Sequence, residues 1–167
     1  MFKSFLCSFL ILLCSVIIET SILSNISFLP AVPDLVMICV LYFSFLNGKN
    51  YGQVSGFLSG LLLDFLSASP LGFNCLFRTV IGYLSGLFRK TINSSGIIVP
   101  SIIGFLATIL KVFLIWLISL FFKSIKIYNI FTFSFLFELV MNVLLTPLIF
   151  KFLNSFRRIL NIHAEEL

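Results

Sequence analysis

The stretch Tyr51-Gly52-Gln53-Val54-Ser55-Gly56-Phe57-Leu58-Ser59-Gly60-Leu61-Leu62-Leu63-Asp64 repeats glycine every four residues, with Ser55 and Ser59 beside the glycines. Helical periodicity puts these small residues on one face. Such a stripe lets two helix backbones approach closely in lipid, where dispersion and weak Cα–H···O contacts replace the absent hydrophobic effect. A matching patch, Gly82, Ser85 and Gly86, lies in the next apolar segment. With only a short turn between them, the two helices run antiparallel, which brings Gly82 and Gly86 near Gly52 and Gly56. Two readings stay open: packing within the chain, or packing against another protein's transmembrane helix.

Composition points to the same solvent. Of the 167 residues 60% are apolar and 10% charged, 22 are Phe, and the mean hydropathy is +1.18. Soluble domains average about 45–50% apolar and about 25% charged. A chain of this size cannot bury that apolar excess in one globular core, so lipid surrounds most of it. This excludes a soluble enzyme, a nucleic-acid-binding domain and a disordered regulator. Cys7, Cys14, Cys39 and Cys75 lie in apolar runs with no CxxC pair and no nearby His; they read as small packing residues, with a disulfide or metal role as the alternative.

Working outward along the chain, a helix needs about 20 residues to cross a bilayer core of about 30 Å. Six spans are expected, at residues 4–22, 34–47, 51–67, 71–88, 97–122 and 130–152, in one domain of residues 1–167 whose tail is residues 153–167. The first run is long, Glu19 follows it and no A-x-A-like site appears, so it reads as a retained span rather than a signal peptide. Asp34 caps the second helix, which is short enough that a re-entrant segment is the alternative. Asn47-Gly48-Lys49-Asn50 is a turn, Ser69-Pro70 breaks the third helix, Pro100 falls in a first turn and Pro147 is a kink point. With six spans and a cytoplasmic N-terminus, Lys3, Lys49, Arg89, Lys90, Lys151, Arg157 and Arg158 face inward and only Lys123 and Lys126 outward, seven against two. That bias obeys the positive-inside rule and survives only an even number of crossings. The residues from Phe150 to Leu160 read as an extension of the last helix at the anionic inner surface, or as a frayed end.

Glu19, Asp64, Arg78, Lys111 and Glu138 fall inside apolar runs. A charge at mid-bilayer costs at least about 2.5–3.5 kcal/mol, so each needs a partner or water. From about 1.5 Å of rise per residue, Asp64 and Arg78 both lie roughly 6–10 Å from the turn joining their helices, and Lys111 and Glu138 roughly 12–17 Å from theirs. These are the expected ion pairs, in the membrane's outer half or near its middle. Glu138, Asn142 and Thr146 form a stripe ending at Pro147, where Asn142 and Thr146 are placed to satisfy the carbonyl that proline leaves free. The polar set reads either as a cavity open to the outside, holding a ligand or a partner's helix, or as ion pairs that set helix register. Catalysis finds no footing: His163, the one histidine, lies in the tail, no intramembrane base stands behind Ser55, and no Walker spacing occurs. No catalytic, metal or cofactor site is expected.

Pro33-Asp34-Leu35, Tyr51-Gly52-x3-Gly56-Phe57-x2-Gly60-Leu61-x2-Asp64, Ser69-Pro70-Leu71-Gly72 and Gly82-Tyr83-Leu84 together resemble the MreD family of bacterial rod-shape-determining membrane proteins. The resemblance is close over residues 30–90 and compositional elsewhere. It implies an all-α integral membrane protein of the inner membrane, a compact bundle of six transmembrane helices with both termini cytoplasmic. It also implies a non-catalytic role in the cell-elongation complex, with MreC as partner and, through it, the MreB filament and the peptidoglycan polymerase and transpeptidase. Membrane lipids and a second copy of the chain are further expected contacts, and nucleic acid is not. The fold implied is similar to the substrate-binding components of energy-coupling-factor transporters. The alternative function is therefore a small-molecule-binding transport subunit, with its pocket at Lys111, Glu138 and Asn142.

Overall fold

The computed structural model describes residues 2–26, 30–67, 69–89, 96–121 and 132–162, and every regular element among them is helical. The elements are α1 (Phe2–Ile17), α2 (Leu35–Asn47), α3 (Lys49–Leu66), α4 (Phe73–Leu87), α5 (Ile98–Phe121), α6 (Phe133–Ser155) and a short α7 (Arg157–Leu160). Three helical stretches, Lys3–Asn25, Ile98–Leu120 and Phe133–Ser155, are long and apolar enough to cross a membrane. Part of the expected turn (residues 91–95), the loop at residues 123–129, Lys90 and His163 lie outside the described residues.

The short α2 is the centre of the molecule. Val36 through Ser44 are all buried, and α1, α3, α4 and α6 pack around them. Its 13 residues span about 20 Å at 1.5 Å per residue. Of the two hydroxyls in that stretch, Ser44 donates to the Val40 carbonyl at 2.6 Å, while the buried Tyr42 hydroxyl has no hydrogen-bond partner among the described residues. The outer helices show the reverse pattern: Leu136, Val140, Leu144, Leu148 and Phe152 form an exposed stripe on α6, and Phe105, Ile109, Phe113 and Trp116 one on α5. Large apolar side chains outside and polar ones within is the arrangement lipid favours.

α1 does not end cleanly. It widens into a π-helical turn (Ile18–Ile22) and then tightens into a 3-10 turn (Leu23–Asn25). Side chains hold this irregular stretch together. Thr20 Oγ1 donates to the Val16 carbonyl at 2.8 Å, and Asn25 Nδ2 to that of Ser21 at 2.8 Å.

The turn expected over Asn47 to Asn50 is a single residue. Gly48, at φ +95°, separates α2 from α3, a backbone conformation that glycine adopts without the Cβ clash. From there α3 lies directly on α4. A Cβ on Gly52 would meet the Gly82 carbonyl oxygen, one on Gly56 the Arg78 carbonyl, one on Gly60 the Cα of Cys75, and one on Gly86 the main chain of Lys49. The stripe thus packs within the chain, in an antiparallel register that sets Gly82 opposite Gly52 and Gly86 opposite Lys49. Ser55 and Ser59, buried in the seam, donate to the Gly52 and Gly56 carbonyls.

At the tail, the expected extension of the last helix is interrupted: α6 stops at Ser155, and the short α7 follows with Leu160 buried. Asn47 Nδ2 donates to the Leu160 carbonyl at 3.1 Å, and the Ile162 N–H donates to Asn47 Oδ1 at 3.0 Å. One amide at the end of α2 therefore clamps the segment from Leu160 to Ile162 by both its donor and its acceptor. Together with the Phe5–Tyr51 edge contact, this gathers the start of α1, the α2–α3 turn, the end of α4 and α7 at one end of the bundle. Lys3, Lys49, Arg89, Arg157 and Arg158 all belong to that end.

Candidate functional site

Towards the opposite end from the basic residues, five helices contribute to one buried polar cluster around the N-terminus of α2. Asp34 is its hub. As N-cap it accepts from the Met37 N–H at 2.9 Å through Oδ1. The same oxygen accepts from Arg78 Nη1 at 2.6 Å, and Oδ2 accepts from Lys111 Nζ at 2.7 Å. Lys111 also donates to Glu138 Oε1 at 2.7 Å. Arg78 Nη2 lies 3.6 Å from Glu19 Oε1, whose other oxygen accepts from the Val36 N–H at 3.0 Å. The Asp34 and Arg78 side chains are each only 2% exposed. Both carboxylate oxygens of Asp34 are thus taken by protein donors, while Arg78 Nε is buried without a hydrogen-bond partner among the described residues.

Three carboxylates face two cations, leaving one formal negative charge in excess. Two features offset it. The first turn of α2 aims the N–H groups of Val36 and Met37 at Glu19 and Asp34, at the positive end of the helix dipole. The buried Phe77 ring then holds both cations, with Arg78 Cζ 5.2 Å and Lys111 Nζ 5.9 Å from its centroid, an arrangement favourable to positive charge.

Asn142 extends the network into α5 and α6. Its Oδ1 accepts from the Asp34 N–H at 2.9 Å and its Nδ2 donates to Thr108 Oγ1 at 3.2 Å. The Thr146 hydroxyl expected to satisfy the carbonyl freed by Pro147 bonds to another one. Proline at 147 frees the Val143 carbonyl, four residues back, whereas Thr146 Oγ1 donates to the Asn142 carbonyl at 2.6 Å. Gly104, a position the sequence reading passed over, lets α5 approach there: a Cβ would collide with Thr146 Oγ1.

The expected Asp64–Arg78 pair does not form. Asp64 turns to the start of α4 instead. Its Oδ2 accepts from the N–H groups of Gly72 (2.8 Å) and Cys75 (3.2 Å), and its Oδ1 from the Asn74 N–H (3.0 Å) and Asn74 Nδ2 (2.9 Å). Ser69 Oγ donates to the same Oδ1 at 3.3 Å. Asp64 is thus a long-range cap for orphan N–H groups, with Gly72 at φ +90° and Pro70, whose carbonyl accepts from the Phe73 N–H at 3.1 Å, shaping the turn. The reason is the tight α3–α4 seam. The Arg78 main chain lies against Gly56, and its side chain leaves α3 for Asp34 and Glu19. Depth along the two helices is similar, but the side chains point to different neighbours. The signal was present: Ser67, Ser69 and Asn74 crowd a carboxylate in an otherwise apolar region, as a capping network requires.

Cys7, Cys14, Cys39 and Cys75 are free thiols, and Ser15 Oγ lies 3.3 Å from Cys39 Sγ. No group of three or more His, Cys, Asp or Glu among the described residues is arranged to hold a metal.

The polar hub at Pro33-Asp34, the glycine seam and the Asp64 cap occupy the segments that carry the family resemblance. The model of the rod shape-determining protein MreD matches residues 2–156. The chain belongs to the MreD family. The match takes in α1 through α6 and the whole charged cluster, so the likeness first seen over residues 30–90 extends to nearly the entire chain. A rod-shape-determining membrane protein is what this family membership supports. No curated protein and no solved structure matches the chain, so the likeness to energy-coupling-factor components gains no support there.

Proposed function

We propose that this MreD-family protein is a six-span, non-catalytic scaffold of the bacterial cell-elongation complex. It works with MreC to organise peptidoglycan synthesis at the inner membrane, and through MreC meets the polymerase, the transpeptidase and the MreB filament. The single observation that carries this reading is the family match over residues 2–156. The charged cluster is then a structural lock rather than a ligand pocket, because Arg78, Lys111 and Asn142 all bond to buried Asp34.

The basic end supports the proposed orientation. Lys3, Lys49, Arg89, Arg157 and Arg158 gather where the positive-inside rule places the cytoplasm. With the α2–α3 turn at that surface, the 13 residues of α2 raise the cluster about 20 Å into a hydrocarbon core of about 30 Å. It then sits in the outer half of the membrane. α3 and α4 cross beside α2 as an inner trio, with α1, α5 and α6 as the long outer spans.

Two experiments test the reading. Affinity purification from mildly solubilised membranes should recover a bitopic coiled-coil protein of the MreC type; recovery of paired ATPases instead would support the transport subunit and overturn the scaffold. Cysteine labelling in a Cys-free background should reach Asn25 and Lys123 from outside but not Lys49 or Asn93. Outside labelling at Asn93 would refute the six-span orientation.

A further inference from the structure

At the basic end, a cavity of about 730 Å³ opens between the α2–α3 turn and the end of α4. Its polar wall is Asn47, Lys49, Asn50 and Arg89, and its apolar wall includes Phe5, Tyr51 and Val54. Among the described residues, no ion pair engages Lys49 or Arg89, since every salt bridge there belongs to the charged cluster. Arg89 Nε is shielded from solvent with no hydrogen-bond acceptor, a costly state for a charged donor. Gly48 makes room for this side chain, because a Cβ there would stand 2.9 Å from Arg89 Cδ. Two cations, Lys49 and Arg89, thus line one cavity.

We propose that this cavity binds a phosphate group, carried by an anionic phospholipid of the adjoining leaflet or by a soluble phosphate. Guanidinium groups recognise phosphate oxygens through directed N–H bonds, while the Lys49 ammonium supplies a point charge. The apolar wall would lie along the glycerol and upper acyl carbons of a lipid, and Tyr51, which meets Phe5 edge-on at 6.2 Å, is the amphipathic aromatic that membrane interfaces favour. The volume lies in the range of small-molecule sites. A bound phosphate would bridge α3 and α4 at the end where Asn47 also clamps the tail, tying the inner helices to the membrane surface.

The test uses the full chain purified in a neutral detergent. Short-chain phosphatidylglycerol, short-chain phosphatidylcholine and inorganic phosphate are each titrated while the melting temperature is followed. The parent should be stabilised by phosphatidylglycerol at concentrations at least tenfold lower than by phosphatidylcholine. Lys49→Gln and Arg89→Gln should each weaken that response severalfold, and the double variant should abolish it. Lys151→Gln with Arg158→Gln removes as much charge outside the cavity and should leave the response intact. Stabilisation by phosphatidylglycerol alone identifies a lipid headgroup as the source; equal stabilisation by inorganic phosphate identifies a soluble anion, with the same site chemistry. A parent that does not distinguish the two lipids and does not respond to phosphate overturns the proposal, even if the cavity variants fail to fold. Equal loss in the Lys151/Arg158 control overturns it as well, because the effect would then be general charge attraction.

Discussion

Replacing Arg78 by glutamine removes the cation shared by Asp34, at 2.6 Å, and Glu19, at 3.6 Å. Lys111 would then face three carboxylates alone. Removing one partner from a buried ion pair costs about 3–5 kcal/mol, because the other charge is left uncompensated. Arg78 is 2% exposed and Asp34 equally so, and the residual charge of the cluster becomes more negative, so the full range applies to Arg78→Gln. Adding Asp34→Asn removes one stranded carboxylate while keeping a competent N-cap, since asparagine caps about as well as aspartate. The double variant should therefore lose about 1–3 kcal/mol less than the sum of its singles. Asp64 supplies the control. It caps backbone N–H groups and, among the described residues, pairs with no cation, so Asp64→Asn with Arg78→Gln should be additive within about 0.5 kcal/mol. Reversible unfolding of the purified protein in mixed micelles measures each free energy. Strong coupling between Asp64 and Arg78, or a coupling between Asp34 and Arg78 below about 0.5 kcal/mol, would refute the assignment of Asp34 as the hub.

The glycine seam makes a graded prediction. Gly56→Ala drives a Cβ into the Arg78 main chain, whereas the Cβ of Gly72→Ala meets nothing within 4 Å and incurs only the left-handed backbone penalty of about 1–2 kcal/mol. Folded yield and unfolding free energy should therefore fall further for Gly56→Ala than for Gly72→Ala; the opposite order would show that the seam yields easily. Asp64→Ala should cost about 0.5–2 kcal/mol as a lost cap, and hydrogen exchange should rise at the amides of Gly72, Asn74 and Cys75, with no change at Asp34. Asn47→Ala removes both hydrogen bonds to the tail, at about 1 kcal/mol each. Limited proteolysis should then cut near Arg157 and Arg158 faster than in the parent, and an unchanged rate would mean that Leu160 burial alone holds α7.

The hydrophobic spacing and the glycine period were enough to read an all-helical membrane chain, the α3–α4 partnership and the cap at Asp34, because these depend on neighbours within a few residues or on one short turn. The Asp64–Arg78 pairing failed where that logic ends. Rise per residue reports depth along a helix, but which neighbour a side chain reaches depends on how the helices are rotated about their axes. The glycine contacts set that rotation by pressing the Arg78 backbone onto Gly56. Asp34 shows the complementary limit. In sequence it is a local cap; in the folded chain it is 44 residues from Arg78 and 77 from Lys111, yet bonded to both. Only the central position of α2, a short helix that reads as the weakest span, brings α1, α4, α5 and α6 close enough for their charges to converge on it. A low-dielectric interior then makes that convergence necessary, since no single one of these charges is stable there alone.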